Sequence, residues 1–498
     1  MLTMMRPTTI LEFRRLLRLL ATFVLLVGAV SCSSVEEDAR YAELAEWLVD
    51  DNRAMLEREP ELTRMKYLVM ASSPYSFLRG TASLFARDLS EAGAWPTQYA
   101  THESSLVLIL GDAHPENIGA YQTESGTLLL DYNDFDGAGY GPWHFEVRRL
   151  ALSTAVSGLE ALRSHDELAI ERAATLAPYV VQGYVDELRA LLAGEEPIRV
   201  RRGAKAGTIA NEIFDRAQED GADRAELKDF TEIVDGVRRL RTGALRIPTE
   251  GYYSRELWEV SAEETAMIEE VLRQWEQTTI TQSAERFHGA PLIDVRRRVG
   301  KGVGSYPVLR YYALLQGPTG DVDDVVLLDI KEARDGISFP GVVFYDSRRY
   351  GNNAERSIAL QRAFQEDEAS DPMLGWGSLG AMAFRVQRES DYQKGNDVAR
   401  MSANYRSGEW DWSDIEDFAV LSGRMLARGH ALAPTAHGRL GLDVIAEAID
   451  GDFDGFVEET SAFVADYLPM FVADYERFQR LLEEEGPFAG YRPLTLER

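Results

Sequence analysis

Two short stretches hold the residues best suited to chemistry: Gly111-Asp112-Ala113-His114-Pro115-Glu116-Asn117 and Asp131-Tyr132-Asn133-Asp134-Phe135-Asp136-Gly137. They adjoin apolar runs, Leu106–Leu110 and Thr127–Leu130, with the length and branching of buried strands. Asp112, Asn117 and Asp131 are therefore expected at strand ends. A carboxylate, an amide and a second carboxylate placed this way can hold a hard cation and orient a hydroxyl, because Mg²⁺ takes few protein oxygens and leaves positions for phosphate. The chemistry this suits is phosphoryl transfer. Asp134 and Asp136 stand close enough to Asp131 to compete for the metal, so Asp134 joins Asn117 and Asp131 as a candidate ligand. A strand-ending Gly-Asp turn and an acidic loop would explain either stretch alone; their pairing favours a site.

A second chemical region lies far downstream. In Arg298-Val299-Gly300-Lys301-Gly302-Val303-Gly304-Ser305, the alternate glycines let backbone N–H groups approach a phosphate closely. Lys331, at the end of the apolar run that begins at Val325, supplies a point charge. Gly300, Gly302, Gly304, Ser305 and Lys331 are thus candidate ligand-contacting residues. A glycine hairpin between strands accounts for the loop by itself, and the strand-borne lysine is what adds specificity. Glu355, on a helix expected over Asn352–Gln365, is a candidate partner for Lys331. Arg79, in the aromatic segment Ser73–Gly80, is either a surface charge or a buried anion clamp.

The elements that must position these residues are mostly helical. Leu44, Trp47 and Leu48 mark an amphipathic helix within Val35–Arg58, and Val147, Leu150, Ala151 and Ala155 line one face of a helix from about His144. Pro178 opens a second helix inside Asp166–Leu192, and Ser261-Ala262-Glu263-Glu264 is a capping box before the stripe Ile268, Val271, Leu272 and Trp275. Strand character begins at Asp294, and the chain from Ser413 is helical. Residues 195–250 are the most charged and least periodic; their clusters Arg199, Arg201, Arg202 and Arg238, Arg239, Arg241 read as solvated faces or as a site for an anionic substrate. His430 reads as structural. The acidic segment Asp450–Gly455 reads as a helix start, since a calcium loop would need a bidentate Glu where Ser461 stands.

With 498 residues and 45% hydrophobic content the chain can bury a large core, and its length suggests two to four lobes. A net charge of -29 argues against nucleic acid or an anionic membrane surface as the main partner. Arg14, Arg15 and Arg18 precede the apolar run Leu19–Val30, which is too short for the ~20 residues of a membrane span and reads as a secretory signal. The ending Ala29-Val30-Ser31-Cys32 resembles a bacterial lipobox. Cys32, the only cysteine, is then the lipidation site, so the fold has no disulfide. By resemblance to Gram-negative sorting, Ser33 and Ser34 imply the outer membrane, with the protein facing the periplasm and touching the membrane only through its lipid anchor.

Gly111–Asn117 together with Leu130-Asp131-Tyr132 resembles the catalytic and metal motifs of aminoglycoside and choline phosphotransferases, relatives of protein kinases. With Ser73–Gly80, Asn133–Ala151, Gly302–Ser305, Asp329–Ala333, Leu374–Trp376 and Ala427–Ala431 in this order, the chain resembles the bacterial family called domain of unknown function 2252, over about Arg64 to Ala433. The resemblance implies an α+β fold: a protein-kinase-like core in permuted lobe order, with a helical C-terminal region. It implies that Asp112 is the base, that Asn117 and Asp131 ligate Mg²⁺, and that Gly300, Gly302 and Gly304 cover the phosphates of ATP, with Lys331 pairing them and Glu355 bracing it. The expected divisions are a signal peptide over 1–31, a tether and helix over 32–60, a catalytic-loop and helical region over 61–290, a glycine-loop sheet lobe over 291–400 and a helical region over 401–498. The function implied is Mg²⁺-dependent transfer of a nucleotide phosphoryl group to a small-molecule hydroxyl or amine. Two alternatives stand beside it: an envelope lipoprotein that binds an anionic or nucleotide ligand without chemistry, and a metallophosphoesterase, since Gly111–His114 is like the first motif of those enzymes. No residue pattern specifies the substrate or the oligomeric state.

Overall fold

Helices form about half of the structure and antiparallel strands a smaller share, a mixed α+β fold. The computed structural model describes residues 37–494 apart from 38, 92, 102–105, 204, 243–256, 338–348 and 366–370; Cys32 and the expected signal segment lie outside these. Among the described residues no helix is long and apolar enough to cross a membrane.

One sheet has six strands in the spatial order Gly375–Leu379, Met382–Arg388, Val325–Ala333, Arg310–Gln316, Leu292–Arg298 and Leu257–Trp258, all antiparallel. The helix Ala262–Thr278 closes one face, burying Ile268, Val271, Leu272 and Trp275 against Val295, Tyr311, Leu328, Ile330 and Phe384. Its start is fixed by both bonds of the Ser261/Glu264 capping box, which satisfies backbone groups that the first turn leaves open. Lys331 sits in the third strand of this order, opposite Arg310 on one neighbour and Arg385 on the other.

The helical body has its own core, built on Trp143–Leu162, Ala177–Leu192, Trp412–Leu432 and Phe453–Glu485. Trp143–Leu162 is buried on nearly every side, so even its charged residues lie inside. The chains of Ala177–Leu192 and Trp412–Leu432 cross at Gly183 and Gly423, where an added Cβ would stand 2.1 Å from the Val420 carbonyl oxygen and 1.9 Å from that of Val180. That close crossing fixes the helix that carries Arg428 and His430.

The helical core also takes in a small sheet, Lys394–Gly395, Ile118–Gln122 and Leu128–Tyr132, and the pair Val107–Ile109 and Gly139–Gly141. The apolar runs form strands as expected, but Asp131 lies within Leu128–Tyr132, not beyond its end. The described part of residues 195–242 is more regular than its charge suggested. The helix Thr208–Asp223 buries a narrow stripe, Ile209, Ala210, Ile213, Phe214 and Ala217, which the intervening acidic residues diluted in the sequence.

Candidate active site

The turn bearing Asp112 is held from beneath. Glu146, inside the helix Trp143–Leu162, accepts the Leu110 N–H at 2.9 Å and the Gly111 N–H at 2.7 Å, and His430 Nε2 lies 2.7 Å from the same carboxylate. Tyr184 hydroxyl lies 2.9 Å from His430 Nδ1, completing a buried network. Hydrogen bonds to a charged group contribute about 1.5–3 kcal/mol each, so this carboxylate is a strong local clamp. The turn can only be glycine: Gly111 has φ 90°, and an added Cβ would stand 2.3 Å from the Gly137 carbonyl oxygen. The two acidic stretches therefore meet backbone to backbone.

Asp112 is oriented by Arg149, whose Nε donates to Asp112 Oδ1 at 2.9 Å and whose Nη2 donates to the Leu78 carbonyl at 2.6 Å. Burial pushes the Asp112 carboxyl above its ordinary value, against the opposing pull of Arg149. A carboxylate of raised basicity, a quarter exposed at 26%, is a competent proton acceptor. Asn117 donates from Nδ2 to the Asp112 carbonyl at 2.8 Å, and among the described residues no donor reaches its Oδ1. His114 lines the same space; burial, then Arg79 and Arg149, hold its imidazole well below the usual range and therefore neutral.

Across the cleft, Lys331 forms an ion pair with Asp136, a residue 195 positions away in the chain. Asp134 accepts the Asp136 N–H at 3.2 Å. Burial alone would raise the Asp134 carboxyl, but Lys331, with Arg385 and Arg310 beyond it, holds it below its ordinary value. Arg356 clips this assembly together, donating to the carbonyls of Ala138, of Asp136 at 3.1 Å and of Arg334 at 2.8 Å. One guanidinium thus ties the acidic loop to the end of the lysine strand.

Asp112, His114, Asn117, Asp134, Asp136, Gly302, Gly304, Ser305 and Lys331 line one cleft of about 820 Å³. Gly302 has φ 83°, and a Cβ there would stand 2.7 Å from Ser305 Oγ, while one at Gly304 would stand 3.1 Å from the Arg79 carbonyl oxygen. Side chains at these positions would fill the loop's cradle. Gly300 lines a neighbouring pocket of about 430 Å³ with Lys301, which is paired to Glu389 at 2.6 Å.

Two expectations need correction. Asp131 faces away from the cleft: Arg428 donates to its Oδ2 at 2.6 Å and the Tyr132 N–H to its Oδ1 at 2.8 Å. Glu355 does not brace Lys331; it accepts the Gly351 N–H at 2.8 Å in the first turn of its own helix, and Asp136 holds the lysine instead. Arg79 lines the cleft and is paired to Glu116 at 2.5 Å. The residues missed were Glu146, Arg149 and Arg356. The signal for the first two was present, as charges interrupting the apolar stripe of Val147 and Leu150; Arg356 lies on a helix with little apolar asymmetry.

Among the described residues, no group of three or more His, Cys, Asp or Glu side chains is arranged to hold a metal ion. Of the residues with side-chain oxygens that line the cleft, Asn117 and Asp134 are a small set of the kind Mg²⁺ accepts when water and phosphate complete its shell.

Fold and cleft together describe a mixed α+β protein with one large polar cleft between a helical body and an antiparallel sheet. The chain belongs to the family described as uncharacterized protein conserved in bacteria (DUF2252), which matches residues 58–481. No curated protein and no solved structure matches it.

Proposed function

We propose that this protein is a kinase-like phosphotransferase, with lobes in permuted order, that moves a phosphoryl group from a nucleotide to the hydroxyl or amine of a small molecule. ATP is the donor by resemblance. The observation that carries the reading is the Lys331–Asp136 ion pair, which joins the glycine-loop lobe to the acidic loop across the cleft that also holds Asp112, Asn117 and Asp134. For a hydroxyl acceptor, its oxygen bonds to the γ-phosphorus as the bridging P–O bond to the β-phosphate breaks. ADP leaves, and the hydroxyl proton passes to the Asp112 carboxylate and then to water. Lys331 releases Asp136 and pairs with donor phosphate, while the backbone of Gly302 to Ser305 covers it. Asn117 and Asp134 would hold Mg²⁺, which would supply charge neutralisation on the phosphates. Catalysis then rests on positioning and preorganised charge. The lipid anchor at Cys32 and an envelope location belong to the same proposal.

The test is transfer of labelled phosphate, with ATP and with pyrophosphate as donors because ATP is scarce outside the inner membrane, to a pool of small hydroxyl and amine compounds. Asp112→Asn and Lys331→Ala are expected to fold and to abolish turnover. Normal activity in both variants would sink the reading. Tight Mg²⁺–ATP binding with no product after long incubation would replace it with a ligand-binding role.

A further inference from the structure

The cleft extends beyond the candidate catalytic residues, to a wall formed by the helix over 39–58, Lys66 and Arg87, and closed by Arg334 just past the lysine strand. Four cations line this end, Arg58, Lys66, Arg87 and Arg334, against three carboxylates, Asp51, Glu332 and Asp335. Two of those carboxylates are engaged: Arg58 holds Glu332 through two bonds, one at 2.8 Å, and Asp51 accepts from Ser83 and Arg87. The third, Asp335, is exposed and accepts from Asn353 Nδ2 at 3.0 Å.

Among the described residues neither Lys66 nor Arg334 forms an ion pair, although Asp51 acts on the first and Glu332, Asp335 and Asp136 act on the second from further off. Lys66 is only 6% exposed, yet its Nζ donates to a neutral oxygen, Asn52 Oδ1, at 2.7 Å. Among the described residues Arg334 has no side-chain hydrogen bond or ion pair; burial acts most strongly against its charge, and the pull of Glu332 is opposed by the nearby Arg58. Arg87 Nη1 is buried without a hydrogen-bond partner. Burying an ammonium without a counter-charge costs several kcal/mol, and a protein of net charge -29 has carboxylates in excess to spend on it. Leaving Lys66 and Arg334 without a paired carboxylate, and one nitrogen of Arg87 without an acceptor among the described residues, is what an anion site looks like when built into a cleft.

We propose that Lys66, Arg87 and Arg334 form an oxyanion subsite, and that the acceptor is an acidic small molecule whose own phosphate or carboxylate binds there while its hydroxyl or amine faces Asp112. Assigning the oxyanion to the acceptor rests on the phosphotransferase reading; the subsite itself does not. Inorganic phosphate is the probe, with thermal unfolding of the full chain read with and without Mg²⁺–ATP. Phosphate is expected to raise the unfolding midpoint of the native protein and to do so additively with Mg²⁺–ATP. Lys66→Met is expected to unfold at a higher temperature without ligand, since a buried charge is gone, and to lose the phosphate response. Arg334→Gln, at a partly exposed position, is expected to weaken phosphate by about tenfold, the effect of losing one charged hydrogen bond. Both variants should keep the Mg²⁺–ATP shift. No phosphate shift in the native protein, or an undiminished shift in both variants, overturns the subsite. Competition between phosphate and ATP, with both shifts lost together, overturns the acceptor assignment by giving these cations to the donor. A phosphate shift lost in the variants, in a protein that never responds to Mg²⁺–ATP, supports the subsite and removes the transfer reading.

Discussion

Arg428 and Asp131 form an ion pair at 2.6 Å with both side chains 2% exposed, deep in the contact between the helix Trp412–Leu432 and the small sheet. A pair so buried is a structural tie. Removing one partner leaves the other charged and desolvated, which typically costs about 3–5 kcal/mol. Asp131→Ala is therefore expected to lower denaturant stability by that order. Asp131→Asn, refolded under stabilising conditions, should keep its response to Mg²⁺–ATP. Asp134→Ala should do the reverse, with near-normal stability and no response. An Asp131→Asn protein that is fully stable and blind to Mg²⁺ would return Asp131 to the metal site.

The Gly111–Gly137 contact predicts a second loss. A Cβ at position 111 meets both a backbone oxygen and a positive φ, so neither rotamer change nor small shifts relieve it. Gly111→Ala is expected to cost about 3 kcal/mol. It should also displace Asp112, so turnover falls more than stability does. Substituting Gly126, which is at a positive φ but has nothing near it, should cost less and leave turnover intact.

The Lys331–Asp136 pair is expected to be ligand-sensitive. In a double-mutant cycle with Lys331→Met and Asp136→Asn, the free protein should show a coupling of about 1–3 kcal/mol. Saturation with Mg²⁺–ATP should reduce the coupling, because the lysine then has phosphate to pair with. An unchanged coupling would mean that the lysine never leaves Asp136.

Lys66 gives a pH signature. Burial, with Arg334 nearby and against the weaker pull of Asp51, lowers its ammonium from 10.5 to about 8. A base whose pKa is lower folded than unfolded sheds its proton first in the folded protein. Between about pH 8 and 10.5 the unfolded chain holds more protons, so stability from this group rises with pH across that window and is lowest below it. The stability advantage of Lys66→Met over the native protein should therefore be about 3 kcal/mol at pH 7 and shrink toward pH 10.5. Comparing the two proteins cancels the tyrosines that titrate in the same range. A difference that stays flat with pH would show that Lys66 is hydrated.

How much of this was written in the sequence depends on the range of the interaction. Local signals carried well: the Ser261 capping box, the helix break at Pro178 and the apolar strands beside Asp112 all depend on neighbours within a few residues. The cleft's membership was also legible for Asp112, Asn117, Asp134, Gly302, Gly304, Ser305 and Lys331, because glycine and acidic loops mark backbone turns. Partner choice was not legible. Asp131 and Asp136 are both carboxylates on the same short stretch, and only tertiary packing decides that Arg428 takes one and Lys331 the other. Glu355 failed for a related reason: at the first turn of a helix, the nearby Gly351 N–H is a closer partner than a lysine on another element. Lys66 carries no signal of its own in the sequence, and nothing short of the fold shows that it is buried.

Glu146, the brace on the Asp112 turn, is itself held by His430, 284 positions further along the chain. As the polypeptide emerges from the ribosome, every residue that lines the cleft is made before the helix that fixes it. A nascent chain stopped short of His430 has the acidic loops, the glycines and the lysine, yet its Glu146 lacks a buried partner and the turn lacks a rigid seat. The site thus matures only when synthesis is nearly complete, so truncated products carry its residues without its geometry.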